Sequence, residues 1–176
     1  MLNPFIRSKL AVPSFGSLLL LAGFYHVEQI RDDKVINVFD FKNDIVTEGK
    51  NKLLDVCFRN QTQIAAWYFG LVNNSGWTAF ASGDTAASHS GWTELTSYDE
   101  TTRVAWSPGA ASSGSITNSS VATFTINASG NVKGLFVASV STKSSTSGTL
   151  WSTAAFGAVV PVSSGDQLKV TYTVNS

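Results

Sequence analysis

The chain has one cysteine, two histidines and few charges, and each scarcity excludes something. Cys57 alone can form no internal disulfide, so the fold does not depend on an oxidising compartment. A catalytic thiol needs a nearby histidine and some exposure. Cys57 instead lies in the apolar run Leu53-Leu54-Asp55-Val56-Cys57-Phe58 and is expected to be a buried structural residue. Charged residues make up 14% of the chain, against about 25% in typical globular proteins. The polar surface must therefore come from Ser, Thr, Asn and Gly, which suit strands and turns. The 12 basic and 12 acidic residues cancel, so no basic face argues for nucleic acid. A neutral surface also lets copies or partners approach without repulsion.

Chemical motifs are equally scarce. The sequence holds no Gly-rich phosphate loop, no Gly-x-Ser-x-Gly elbow and no CxxC. His26 and Glu28 alternate on one expected strand face, with Asp40 across a hairpin, but a zinc site needs three or four ligands and His89 lies far along the chain. A glycosidase needs two carboxylates across a cleft. The adjacent pairs Asp32-Asp33 and Asp99-Glu100 face opposite ways and read as solvated turn acids. No catalytic, cofactor-binding or metal-binding residue is assigned. The expectation is a protein that is not an enzyme and carries no cofactor.

What is present is alternation. In Gln167–Val174, Leu168, Val170, Tyr172 and Val174 point one way and Lys169, Thr171 and Thr173 the other. This period of two, punctuated by Gly, Asn, Asp and Ser, marks half-buried antiparallel strands. The same pattern predicts strands over Ser115–Asn127, Val132–Val140 and Leu150–Val162, read together as one sheet. Upstream, Phe24–Ile30 and Val35–Phe41 read as a hairpin about the turn 31–34. A helix is predicted from Thr47 to Phe58, capped by Thr47, with Leu53, Leu54, Cys57 and Phe58 on its inward face. Ile64–Val72 reads as a central strand buried on both faces. Residues 77–102 read as a long loop with short strand pieces near Trp92–Leu95 and Arg103–Trp106, and such a loop is expected to be functional or ordered by a partner. About eight strands and one helix predict an all-β fold, an antiparallel two-sheet β-sandwich of jelly-roll type.

Residues 1–22 stand apart as an apolar N-terminal arm, leaving residues 23–176 as a single β-sandwich domain. Arg7 and Lys9 precede an apolar stretch, but Pro13, Ser14, Gly16 and Ser17 interrupt it. It is too broken for a signal peptide or a span of about 20 apolar residues, so no membrane partner is expected. The arm reads as a docking arm or a first core strand. Candidate protein-interface residues are Phe5, Ile6, Phe15, Leu18 and Leu20 on the arm, with Trp77 and Trp92 flanking the long loop. Exposed indoles there would suit a protein interface or, as an alternative, a carbohydrate-binding module. The Asn-x-Ser/Thr triplets at Asn60, Asn73, Asn118 and Asn127 are expected by chance in so polar a chain.

Two stretches carry a resemblance. Asn43, Ile45, Val46, Gly49, Leu53 and Leu54 form an "N-x-[VI]-x-x-x-G-x-x-x-L-L" pattern after the hairpin. Gly134, Phe136, Leu150, Phe156, Val162, Gly165, Asp166, Leu168 and Val170–Thr173 form a closing "Gly-x-Phe … Gly-Asp-x-Leu-x-Val-Thr-Tyr-Thr" sheet. Over roughly residues 23–176 the chain resembles a family of virion structural proteins of tailed bacteriophages. The resemblance implies a virion protein made in the host cytoplasm. Together with the neutral charge, the absent chemistry and the apolar arm, it leads to the expectation of a capsid decoration or cement protein. Its partners would be the major capsid protein and further copies of itself in a homo-oligomer. A fibre, collar or adaptor subunit bound to portal or tail proteins is the alternative. The resemblance brings no catalytic residue with it.

Overall fold

A computed structural model describes residues 21–176. The chain opens with a hairpin, β1 (Ala22–Arg31) and β2 (Lys34–Lys42), whose register pairs Val27 with Phe39 and Tyr25 with Phe41. Asp32 and Asp33 form its two-residue turn, with φ of 50° and 59°. Both sit in the left-handed region that the twist of a tight hairpin requires and that glycine fills best. Asp33→Gly is expected to stabilise the fold by about 0.5–1 kcal/mol, seen as a higher urea midpoint with an unchanged slope.

After the short β3 (Asp44–Ile45) comes α1 (Thr47–Phe58), as expected from the sequence. Its N-cap, however, is Val46, with no side-chain cap bond. The strands that follow are β4 (Trp67–Asn73), β5 (Thr93–Leu95), β6 (Val104–Trp106), β7 (Ser115–Thr117), β8 (Ala122–Thr125), β9 (Gly130–Ala138), β10 (Leu150–Val162) and β11 (Gln167–Asn175). Together they form an all-β sandwich of two antiparallel sheets with one short helix. One sheet runs β2-β1-β11, and the far side of β11 is shared between β7 and β8. The other runs β3-β10-β9-β4, and the far side of β4 is shared between β5 and β6.

The stretch 115–127 is therefore two strands rather than one, and Asn118 joins them. Its amide Oδ1 accepts from Tyr172 N at 2.9 Å, while its Nδ2 donates to Val170 O at 3.0 Å. The side chain replaces the main-chain partner that β11 lacks between β7 and β8, since buried backbone groups must be paired. The four C-terminal strands also divide between the sheets: β9 pairs with β10, and β8 with β11. Alternation identifies a strand with one buried face, but not the sheet it joins.

The core lies between the sheets. Leu168, Val170 and Tyr172 are fully buried there with Tyr25, Val27, Phe69, Leu71, Leu135 and Phe124. Tyr25 stacks between Phe41 and Tyr172, at ring-centroid distances of 5.3 and 4.5 Å. A second cluster, including Val72, Trp92, Phe136 and Leu150, lies on the other side of the β3-β10-β9-β4 sheet, beneath the loop that carries Phe80 and Trp92. This accounts for the apolar run in β4: Phe69 and Leu71 enter the main core, Val72 the second. The long loop is thus fastened by its own aromatic side chains. Trp92 Nε1 donates to Asp84 Oδ2 at 2.9 Å, and the same oxygen accepts from Ala81 N at 3.0 Å.

Two further sequence expectations, both on α1, need correction. Cys57 is exposed, not buried. Of the four residues expected on the inward face of α1, Leu53 lies inward but the other three point outward: Leu54 is 52% and Phe58 81% exposed, and Cys57 is exposed. The seam that packs is built on Gly49, where a Cβ would lie 2.5 Å from the carbonyl oxygen of Trp151. Close backbone approach at the first turn sets the rotation of the helix. Leu53 and Val56, four and seven residues on, then share its inner side.

Candidate interaction surfaces

Among the described residues, three places are weighed for function, and their geometry separates them. The first is a cavity of about 230 Å³ lined by His89, Trp92, Glu94, Arg103, Phe136 and Leu150, among others. At its wall Arg103 and Glu94 form a buried ion pair, with side chains only 4% and 5% exposed. Arg103 Nε and Nη2 donate to the two Glu94 oxygens at 3.1 and 2.9 Å. Arg103 also donates to the carbonyls of Val140 and Ser145, and Glu94 accepts from Ser144 N. His89 stacks on Trp92 at 3.9 Å. The charged groups are consumed by the protein itself, so this pocket reads as an internal clamp.

The second is a groove of about 290 Å³ beside α1, lined by Leu21, Gly49, Leu53, Val56, Trp67 and Trp151, and closed by Ile64, Trp106, Ile116 and Val174 with Lys52 and Gln63. Two of its indoles have their N–H groups turned inward. Trp151 Nε1 donates to Tyr172 Oη at 3.0 Å and Trp106 Nε1 to Asn118 Oδ1 at 3.0 Å. What these two rings offer to the groove is therefore apolar ring surface without a free donor.

The third is a scatter of exposed aliphatic side chains. Val35, Ile36 and Val38 on β2 are 51%, 42% and 50% exposed, and β2 is an outer strand of its sheet. A register shift opposite Gln29 and Ile30 bends this strand. Such a bulge discourages edge-to-edge pairing while leaving the side chains available. Leu54 and Phe58 on α1 add a second exposed apolar surface.

The sequence-derived candidates fall out as follows. Phe5, Ile6, Phe15, Leu18 and Leu20 lie outside the described residues. Trp92 is 3% exposed and belongs to the second core cluster, so it presents no surface to a partner. Trp77 is half-buried, edge-on to Phe80, with Lys133 Nζ 4.6 Å from its ring centroid. The two indoles do not form the exposed pair that a glycan platform would need. His26 and Asp40 do face each other across the hairpin, with Nδ1 and Oδ1 2.8 Å apart. Among the described residues no cluster of three or more His, Cys, Asp or Glu is placed to hold a metal ion. Glu100 is a brace rather than a free acid, since both its oxygens accept from Thr125 N at 3.1 Å. No helix among the described residues is long and apolar enough to cross a membrane.

Sequence reasoning read Asp166 only as a turn former. Its carboxylate is 1% exposed and accepts from Arg31 Nε and Nη2, both at 2.7 Å, from Gln29 Nε2 at 3.0 Å and from Ser163 N at 2.9 Å. It ties the opening hairpin to the last turn. The Arg31 hydrogen bonds, aided by those from Ser163 and Gln29, hold its pKa down at about 2, below the ordinary 3.8. The stability this group supplies is complete above the ordinary value and is lost as pH falls through about 2. The shift corresponds to roughly 2 kcal/mol. Asp166→Asn is expected to remove that part of the acid dependence, measured as stability against pH between 4 and 2.

No protein-family model matches the chain, and no curated protein matches it significantly.

Proposed function

We propose that this chain is a non-enzymatic structural protein of a tailed-phage virion, a decoration protein that seats on the capsid and bridges major capsid subunits. The observation that carries the reading is the pair of exposed apolar surfaces, Val35/Ile36/Val38 on β2 and Leu54/Phe58 on α1, on a sandwich whose buried charges are spent on internal ties. The resemblance of the hairpin-helix and closing-sheet patterns supports the virion setting. A protein of this kind acts by burying area across subunit junctions, so that opening the shell also breaks its contacts. Copies of itself and the major capsid protein are the partners in this reading.

The test is labelling and quantification in purified particles. A shell location, in numbers commensurate with the capsid subunits, is the expected result. Labelling confined to the tail or neck, in the numbers of a small ring, overturns the capsid placement in favour of a tail component. Absence from particles overturns the virion reading altogether. Val38→Asp together with Phe58→Asp should abolish particle binding while leaving the isolated protein folded, because both side chains are already half or more exposed.

A further inference from the structure

We propose that His26 and Glu28 are one half of a zinc site, which the same pair from a second copy of the chain completes. The inference does not rest on the virion reading. Tyr25 and Val27 on β1 are buried in the core, so the alternate residues His26 and Glu28 face outward from the sheet. Their side chains are 46% and 37% exposed. Across the hairpin, Asp40 Oδ1 lies 2.8 Å from His26 Nδ1. An ionised carboxylate can only accept, so Nδ1 carries the hydrogen and the neutral imidazole has a bare lone pair at Nε2. This is the arrangement in which a carboxylate orients a histidine for a metal. Nε2 in turn faces Glu28 Oε1 at 3.8 Å. A lone pair set against a carboxylate calls for a cation between them. A shared proton would draw the two atoms to about 2.7–2.9 Å. A zinc ion, with bonds of about 2.0–2.2 Å to each, spans the gap as it stands.

One chain supplies only these two ligands, and among the described residues no group of three His, Cys, Asp or Glu is placed to hold a metal ion. A structural zinc ion takes four ligands, and two copies facing each other across the ion provide two imidazoles and two carboxylates. The surface around the pair fits such a contact. Phe24 precedes His26 on the same face, and Val38 stands opposite Glu28 on β2. They are 37% and 50% exposed, and a facing copy would cover both. Lys169 stands opposite Glu28 on β11. Glu28 and Asp40 from two copies bring four negative charges, which one zinc ion and two Lys169 ammoniums balance. Without the ion the facing carboxylates outnumber the ammoniums and repel, so the contact depends on the metal.

The test uses the full chain, stripped of metal by a chelator and titrated with zinc chloride at neutral pH. Calorimetry should give one zinc ion per two chains, and light scattering should show the mass double over the same range. His26→Gln and Glu28→Gln should each abolish the doubling. Both side chains are exposed, so the circular dichroism and urea midpoint of these variants in chelator should match the parent. Asp40→Asn should weaken zinc binding by about 10–100-fold, again with the metal-free protein unchanged. Cys57→Ser and His89→Gln alter the remaining thiol and imidazole of the chain and should leave the titration as it was. No zinc binding, or one zinc ion per chain with no change of mass, overturns the proposal. So does a doubling that survives His26→Gln, or one lost with Cys57 or His89.

Discussion

Arg103→Met is expected to cost about 3–5 kcal/mol, because it strips one partner from a buried ion pair and leaves the other charge behind. For a chain of this size that corresponds to a fall in Tm of roughly 6–20 °C. The side chain does more than neutralise Glu94. Its guanidinium lies 4.9 Å from the Phe136 ring centroid, and its remaining donors hold the Val140 and Ser145 carbonyls. The main-chain N–H of Arg103 adds a bond to Ser141 O at 2.7 Å. One residue thus fastens β5, the entry to β6 and the loop between β9 and β10. The double variant Glu94→Leu with Arg103→Met should be less damaged than the single change, since no isolated charge then remains buried. It should not return to the parent value, because two carbonyls still lose a donor. Urea unfolding of the two singles and the double measures the coupling. A double variant as unstable as the sum of its singles would show that the two side chains do not act as a unit.

This clamp was not legible in the sequence, and the reason is physical. Glu94 and Arg103 stand nine positions apart in a Ser/Thr-rich stretch, and nothing local distinguishes a buried charge from a solvated one. Their meeting depends on β5 and β6 both pairing with β4, which is a tertiary fact. Asp166 was read as a turn residue for the same reason, since its partner Arg31 is 135 positions away. By contrast, the bounds of β10 are legible to the residue, because a largely apolar run lies between a polar loop and the Ser163–Asp166 turn. The helix is legible, but of the four residues expected on its inner face only Leu53 lies there. Leu54, Cys57 and Phe58 competed with Leu53 and Val56 for the inner face, and the deciding contact is a glycine that hydrophobicity does not weigh. Trp92 was misplaced by composition: a Ser/Gly-rich loop suggests surface, yet this one folds back over its own aromatic anchors.

Gly134→Ala is expected to destabilise the fold by about 3 kcal/mol, at the upper end of what overpacking a core costs. Gly134 lies inside β9, between β10 and β4, paired with Ala155 on one side and Val72 on the other. A Cβ there would meet the carbonyl oxygen of Ala154 at 2.1 Å and further backbone atoms at 3.1 Å. Those atoms are main chain in a hydrogen-bonded ladder, so no flexible side chain can yield, and β10 must move. Next to this point β10 departs from regular register between Ala155 and Val160, leaving Phe156, Gly157, Ala158 and Val159 facing Lys133 alone. Lys133 Nζ donates to Phe156 O at 3.2 Å across the arch, and the Phe156 ring packs against Phe39 and Phe41 at 5.0 and 4.7 Å. The glycine lets the two strands close just before the arch begins, and the arch aims Phe156 into the core. A glycine inside a strand marks such a close approach. Gly157, on the arch itself, has no atom within 4 Å of a built Cβ. Gly157→Ala should therefore fall within about 0.5 kcal/mol of the parent. Thermal or urea unfolding of the two alanine variants decides the matter: equal losses would mean that the closeness of β9 and β10 at Gly134 is not what orders this sheet.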